Sequence, residues 1–104
     1  MTPEKQFENK VKKFLKDEGC WFVKYWSGTS TNGKKFTKDG VPDLLVCVQG
    51  SFMAIELKSE NGRPTELQLW NIEKIKEAGG YAFVLYPHQF EEFKRLIKSI
   101  KGRR

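Results

Sequence analysis

Three charged residues, Asp43, Glu56 and Lys58, interrupt two apolar runs in the segment GVPDLLVCVQGSFMAIELKSE, residues 40–60. An ionised group inside a strand must be solvated, be paired or hold a ligand, because burying it alone is costly. Two converging carboxylates repel each other unless a cation lies between them, and Mg²⁺ accepts such oxygen ligands while keeping several waters. A bound divalent cation can activate one of these waters to attack phosphorus. The three residues therefore predict metal-dependent phosphodiester hydrolysis, with Lys58 orienting the water or stabilising the phosphate.

Convergence of these side chains depends on the hairpin that carries them. Gly50 and Ser51 match a two-residue type II′ or I′ turn. With this turn, Asp43 lies opposite Lys58, and Glu56 lies on the diagonal from Asp43 at about 7 Å, all on one face. A slip of one residue would separate the two carboxylates. The alternative is an ordinary ion pair between Asp43 and Lys58, with Glu56 solvated.

The elements that position the hairpin follow the order αβββαβα in one domain, residues 1–104. Periodicity and turn residues predict helices at 3–18 and 65–78, strands at 20–26, 41–48, 52–58 and 81–86, and a last helix with the apolar stripe Phe90, Phe93, Ile97 and Ile100. The lysine-containing loop between the first two strands is long enough to suggest a functional role.

Composition excludes several other chemistries. A single histidine, His88, excludes a zinc finger or a histidine-cluster nuclease. The two cysteines, Cys20 and Cys47, form no CxxC pair and are predicted to be buried, reduced thiols. No window approaches the length of a membrane span and the N-terminus lacks an apolar leader. We therefore expect no membrane partner and a cytoplasmic location, in the host cell if a phage encodes the protein.

Positive charge is concentrated at the C-terminus. Six basic residues follow the last acid, Glu92, and they equal the formal net charge of +6, so the rest of the chain is balanced. A basic helix edge with a tail of about residues 101–104 suits a polyanion such as nucleic acid. The alternative is a solvated helix face that ends in a frayed tail.

The motifs GVPDLLV, GSFMAIELKSENGRPTELQ and LWNIEKIKEAGGYAFVLYP resemble those of the virus-type replication-repair nuclease (VRR-NUC) domain. This family belongs to the PD-(D/E)xK superfamily, which also contains archaeal Holliday junction resolvases. The resemblance covers about residues 8–93 and implies an α/β, restriction-endonuclease-like core with a mixed sheet flanked by helices. It also implies that Asp43, Glu56 and the Leu57 backbone carbonyl hold Mg²⁺ or Mn²⁺, and that Lys58 is the catalytic lysine.

Two further site residues follow from the resemblance. Glu8 matches the acid on the first helix, where it would bind the metal directly or through water; the alternative is a favourable charge near a helix N-terminus. Gln68 matches a glutamine that would contact the attacking water or a DNA phosphate. The alternative for Gln68 is helix capping, since it is the fourth residue of a capping box that begins at Thr65.

DNA contacts are predicted in the long loop before the Asp43 strand and at the C-terminus. Ser27 and Gly28 resemble small residues that precede the Asp43 strand in the family. Six basic residues of the long loop and the tail are candidates for phosphate contacts: Lys34, Lys35, Lys38, Lys101, Arg103 and Arg104. A solvated loop explains its lysines equally well. The three tryptophans, Trp21, Trp26 and Trp70, are expected in the core or an interface rather than as base-stacking platforms.

The leading hypothesis is a Mg²⁺- or Mn²⁺-dependent, structure-selective DNA endonuclease, with Holliday junction resolution as the candidate reaction. Its expected substrate is branched DNA, a four-way junction or a flap, and it needs no small-molecule cofactor. Dimerisation through residues 20–26 would suit a symmetric junction. The alternatives are an inactive nucleic-acid-binding module of the same fold and a sequence-specific restriction-type nuclease.

Overall fold

The computed structural model describes residues 1–26 and 38–103. It contains α1 (Pro3–Asp17), β1 (Trp21–Lys24), β2 (Leu44–Val48), β3 (Ser51–Leu57), α2 (Glu66–Glu77), β4 (Tyr81–Leu85), a short 3-10 helix (Pro87–Gln89) and α3 (Phe90–Lys101). This order confirms the α/β class and the predicted αβββαβα sequence of elements. None of the helices in the described ranges has the length and apolar character that a membrane crossing requires.

Local signals determine where α1 begins and ends. The Thr2 side chain accepts a hydrogen bond from the Lys5 backbone N–H, and Pro3 occupies the first turn, where its missing N–H costs nothing. Gly19 follows the helix with φ +76°, a conformation that favours glycine. The apolar residues spaced along the helix are buried, which brings one face of α1 onto the sheet.

The four strands form one mixed sheet in the order β1-β2-β3-β4. β1, β2 and β3 are antiparallel neighbours, whereas β4 runs parallel to β3. One face packs against α1 and α3, and its main strand residues are Leu44, Val46, Val48, Met53, Ile55, Leu57 and Leu85. The opposite face packs against α2 through Ala54, Ala82 and Ile72. We call these the α1 face and the α2 face.

The hairpin turn lies one residue earlier than predicted. Val48 pairs with Ser51, so Gln49 and Gly50 form the loop, with φ values of 51° and 85°. Positive φ at both positions is the mark of a type I′ turn, in which the glycine is the second central residue. The prediction placed glycine first and was wrong.

The corrected turn shifts the register by two residues. Leu44 pairs with Ile55, and continuing this register by one residue places Asp43 opposite Glu56 rather than opposite Lys58. Because the shift is even, the alternation of faces is unchanged and the two carboxylates still share a face. The expectation that a one-residue slip in the turn would separate them was wrong, since moving the loop by one position shifts the pairing by two. The geometric requirement for convergence therefore survives the error in the turn.

The two cysteines are less buried than predicted. Both are free thiols, with Cys20 half-buried and Cys47 exposed. Cys20 packs against the core on the α1 face, whereas Cys47 lies on the α2 face beyond the area that α2 covers. The expectation of two buried thiols was wrong: Cys47 is exposed because α2 leaves its part of β2 uncovered, and Cys20 is only partly covered by the core.

Candidate active site

Asp43 is fixed at the start of β2 by two backbone hydrogen bonds. Its Oδ2 accepts from the Leu57 N–H at 2.9 Å, and its carbonyl accepts from the Tyr25 N–H at 2.8 Å. The carboxylate thus bridges to the end of β3, while the main chain is tied to β1. The bond from Leu57 holds one side of the carboxylate and directs it toward Glu56, and the bond from Tyr25 fixes the main chain.

Glu56 is almost completely buried, with 2% of its surface exposed. Its Oε2 lies 3.3 Å from Lys58 Nζ, and its Oε1 is a buried side-chain atom with no hydrogen-bond partner among residues 1–26 and 38–103. Burial and, next in size, the charge of Asp43 together raise the pKa of Glu56 to about 7, although Lys58 acts in the opposite direction. The carboxylate is therefore short of positive charge and of hydrogen-bond donors.

The Asp43–Glu56 pair has the character of a site for a hard divalent cation. Its donors are carboxylate oxygens, the ligands that Mg²⁺ and Mn²⁺ prefer, and one of them is a buried atom without a partner. A cation between the carboxylates would offset both the burial and the repulsion that raise the Glu56 pKa. The residues present fit such an ion.

The structure does not gather Glu8 with this pair. Within residues 1–26 and 38–103, no three His, Cys, Asp or Glu side chains come together. The Glu8 carboxylate instead contacts Lys5, Lys12 and Lys24. Its predicted role as a metal ligand stays a prediction, and the geometry gives it different partners.

Gln68 forms the predicted capping box at the start of α2. Its Oε1 accepts from the Thr65 N–H at 2.8 Å, and its N–H donates to Thr65 Oγ1 at 3.1 Å. Capping therefore accounts for the position of this side chain. The contact with water or phosphate stays a prediction.

The predicted DNA-binding residues have varied positions. Lys38 is exposed, with its Nζ 5.7 Å from the centre of the Trp70 ring. Lys101 is the last residue of α3 rather than part of a tail, and its Nζ donates to the Glu18 carbonyl at 2.7 Å. Arg103 donates to the Tyr81 hydroxyl at 3.0 Å. The remaining candidates lie outside the described residues: Ser27, Gly28, Lys34, Lys35 and Arg104.

Two features of the structure differ from the sequence-based expectations or are absent from them. The tryptophans are exposed, with Trp21 at 66%, so of the two expected locations, the core or an interface, the structure excludes the core. The lysines around Glu8 were also missed, although Lys5 and Lys12 have the i−3 and i+4 spacing that places them beside it on a helix. Lys24 reaches Glu8 only through the packing of β1 against α1, which no local pattern reveals.

Comparisons with known proteins agree with this fold. A family model for the archaeal Holliday junction resolvase (Hjc) matches residues 4–97. A solved structure described as a VRR_NUC domain has a TM-score of 0.66 and 27% sequence identity, with each chain covered over 100% of its length. A search of curated protein sequences gives no significant match.

The sheet, its helices and these matches define a nuclease domain of the VRR-NUC type. Because the resolvase model matches most of its length, the chain belongs to the archaeal Holliday junction resolvase family.

Proposed function

We propose that the chain is a Mg²⁺- or Mn²⁺-dependent endonuclease that cleaves branched DNA, with the four-way junction as its substrate. The observation that carries this proposal is the Asp43–Glu56 pair: one buried oxygen of Glu56 has no partner in the described part of the chain, and Lys58 lies 3.3 Å from the other oxygen. Membership of the resolvase family supports the choice of junction DNA.

Each residue of the site has its own proposed role. Asp43, Glu56 and the Leu57 carbonyl hold the cation, which when bound lowers the pKa of a water and offsets charge on the phosphate. The Leu57 N–H orients the Asp43 carboxylate by its hydrogen bond. Lys58, whose ammonium is already beside Glu56, donates to the attacking water or to a phosphate oxygen in the transition state. Gln68 is the proposed further contact to water or phosphate.

An inactive binding module is the main alternative. Such a module would gain nothing from two acids beside a polyanion, since each carboxylate opposes phosphate binding. The presence of a buried Glu56 beside a repelling, half-buried Asp43 therefore favours turnover. A restriction-type enzyme would need a further surface to recognise a base sequence.

The decisive experiment incubates the full chain with four-way junction, flap, single-stranded and linear duplex DNA of matched sequence. Each substrate is tested with Mg²⁺, Mn²⁺ or EDTA. Metal-dependent cleavage confined to branched substrates supports the proposal. Binding without cleavage would indicate the inactive module, and cleavage of linear duplex at one sequence would indicate the restriction-type enzyme.

A second copy of the chain completes the proposed enzyme. The α2 face has an uncovered area beside β1, the sheet patch, formed by Trp21, Val23, Cys47 and Phe52. Trp21 pairs with Cys47 across β1 and β2, and Cys47 pairs with Phe52 across β2 and β3, so three exposed apolar side chains lie in one row. Contiguous apolar patches of this kind mark interaction surfaces. A junction with two-fold symmetry needs two active sites, which a symmetric dimer supplies.

The dimer is tested by sedimentation of Trp21→Glu and Phe52→Glu. Both should be folded monomers if the sheet patch is buried between copies. Trp70→Glu is the matched control, because Trp70 is an aromatic residue on α2 outside the patch whose exposure, 51%, lies between those of Phe52 and Trp21. A dimer that persists in both patch variants, or a wild-type monomer, would contradict the proposed interface.

A further inference from the structure

The segment that follows Lys58 folds back onto the side chain of this residue. The Gly62 N–H donates to the Ser59 carbonyl at 2.9 Å, which closes a turn at residues 59–62 directly after β3. A Cβ atom at Gly62 would lie only 3.3 Å from Lys58 Cδ and 3.4 Å from Lys58 Cβ. The backbone of this turn, which we call the lysine turn, therefore packs against the aliphatic part of the Lys58 side chain.

The Lys58 side chain is held at its two ends. Its backbone N–H donates to the Leu85 carbonyl at 3.1 Å, and its Nζ lies 3.3 Å from Glu56 Oε2. Between these ends are four methylene groups, and a lysine loses more rotamer freedom than most residues when its side chain is ordered. The side chain is nevertheless only 17% exposed. Contact with the lysine turn limits the rotamers that the methylene groups can adopt, and so limits where the ammonium group can lie.

Tyr86 attaches the lysine turn to the end of β4. Its hydroxyl donates to the Gly62 carbonyl at 3.0 Å in a partly buried hydrogen bond, and its ring stacks on His88 with the ring centroids 5.8 Å apart. His88 also contacts Glu60 in the turn, but these two side chains are 64% and 50% exposed. Contacts between such exposed groups contribute little. The Tyr86 hydroxyl is therefore the stronger of the two attachments.

We propose that Tyr86 is a positioning residue for Lys58. Its hydroxyl fixes the lysine turn, and the turn keeps the Lys58 ammonium group where it meets the attacking water or the scissile phosphate. This inference rests on the proposed function, since Lys58 acts in the proposed reaction. Small displacements of a catalytic group cost much in rate, whereas the metal and the DNA are bound by other residues. Loss of the hydroxyl should therefore slow cleavage without weakening either binding step.

Tyr86→Phe removes the hydroxyl and keeps the ring. Single-turnover cleavage of the four-way junction at saturating Mn²⁺ should slow by about three- to tenfold, while Mn²⁺ affinity and junction affinity in EDTA should each change by less than about twofold. Tyr81→Phe is the matched control, because it makes the same change at the other end of β4, where the hydroxyl accepts from Arg103. Tyr81→Phe should cleave at the wild-type rate. An unchanged rate in Tyr86→Phe, or an equal loss in Tyr81→Phe, would overturn the inference.

A double mutant separates positioning of Lys58 from a general structural role. A general loss of order would slow the enzyme whether or not Lys58 is present. If Tyr86 acts through Lys58, Tyr86→Phe should change the residual cleavage rate of Lys58→Ala by less than about twofold. Equal fold-losses in the wild-type and Lys58→Ala backgrounds would overturn the inference, because the two residues would then act independently.

Gly62→Ala tests the lysine turn itself. Gly62 does not have a positive φ, so the main obstacle to an added methyl group is the Lys58 side chain, which would have to move by a few tenths of an ångström. This variant should cleave about threefold or more slowly, again with no further effect in Lys58→Ala. If Tyr86→Phe does not fold, this pair of variants answers the same question.

Failure of the inference can be distinguished from failure of the proposed function. A wild-type chain that does not cleave junctions with Mg²⁺ or Mn²⁺ would refute the proposed function, and the role of Tyr86 with it. An active wild type whose rate neither Tyr86→Phe nor Gly62→Ala lowers would refute only the positioning role.

Discussion

Glu8 and Glu56 are both buried carboxylates at one end of the sheet, but their surroundings differ in charge. Glu8, on the α1 face, has three ammonium partners and a pKa lowered to about 2. Glu56, on the α2 face, has an acid beside it, one oxygen without a partner, and a pKa raised to about 7. The first carboxylate is satisfied by the fold. The second needs something that the described residues do not supply.

This difference distinguishes a carboxylate whose partners the fold supplies from one whose second oxygen has none among the described residues. Proteins pair nearly all buried polar groups, so an unpaired buried carboxylate is a cost that persists at functional sites. By this criterion Glu56 is the better candidate for a metal ligand, although both residues match the family pattern. The distinction depends on tertiary packing, because the sequence presents both as acids beside apolar residues.

The largest expected effect on cleavage comes from neutralising one carboxylate of the Asp43–Glu56 pair. Glu56→Gln and Asp43→Asn should each reduce cleavage of the preferred substrate by about a thousandfold or more, the scale of losing a preorganised charged group, while junction binding in EDTA is retained. Mn²⁺ calorimetry tests the cause. Unchanged Mn²⁺ affinity in both variants would exclude the pair as the metal site.

Glu8→Gln is the matched control for this experiment, since it makes the same chemical change in the other buried carboxylate. If the three ammonium partners are its whole role, it should lower cleavage by much less than Glu56→Gln does. A loss as large as that of Glu56→Gln would place Glu8 with the metal ligands and remove the distinction between the two carboxylates.

Lys58→Ala comes next in size. Its ammonium is beside Glu56, so we expect a loss of about a hundredfold in cleavage rate with metal binding largely intact. Single-turnover rates at saturating Mn²⁺ measure this effect. A change in cleavage rate below about threefold would show that Lys58 acts only as the ion-pair partner of Glu56.

Much of the fold follows from local sequence signals, and the errors have specific causes. The caps at Thr2 and Thr65 and the periodic apolar residues predict the helices correctly. The turn was misplaced because Gln49 takes the positive φ that the prediction assigned to glycine. The Asp43–Glu56 pair was predictable because face alternation tolerates a two-residue shift. Among the partners of Glu8, Lys5 and Lys12 were predictable from helical spacing, but Lys24 was not, since it is sixteen residues away in sequence.

The two pKa shifts give opposite pH dependence of stability. A raised carboxyl pKa contributes stability below about pH 4.5 that is lost as pH rises through about 7, because the folded protein then carries a buried charge. Glu56→Gln should therefore stabilise the protein at pH 8 in EDTA by about 1 to 3 kcal/mol, and have little effect at pH 4.5. Urea unfolding at the two pH values measures this. Saturating Mn²⁺ should remove this difference in the free energy of unfolding between Glu56→Gln and the wild type.

The pKa shift of Glu8 gives the opposite pH dependence of stability. Its lowered pKa contributes stability above about pH 4.5 that is lost as pH falls through about 2. Glu8→Gln should destabilise the protein at pH 7 by about 1 to 3 kcal/mol, the range for a buried group that loses its partners. Stabilisation at pH 7 would contradict the assignment of Glu8 as the satisfied carboxylate.

The smallest expected effect concerns Gln68, on the same side of the sheet as Glu56, where capping and catalysis must be separated. Gln68→Ala should lower the free energy of unfolding by about 0.5 to 1 kcal/mol, because it removes the side chain that accepts from the Thr65 N–H. Gln68→Glu keeps an acceptor at that position and should retain full stability. If Gln68 also contacts water or phosphate, Gln68→Glu will cleave slowly despite its stability, since a carboxylate cannot donate a hydrogen bond and repels phosphate. Full activity in Gln68→Glu would assign this residue to capping alone and leave Asp43, Glu56 and Lys58 as the reactive set.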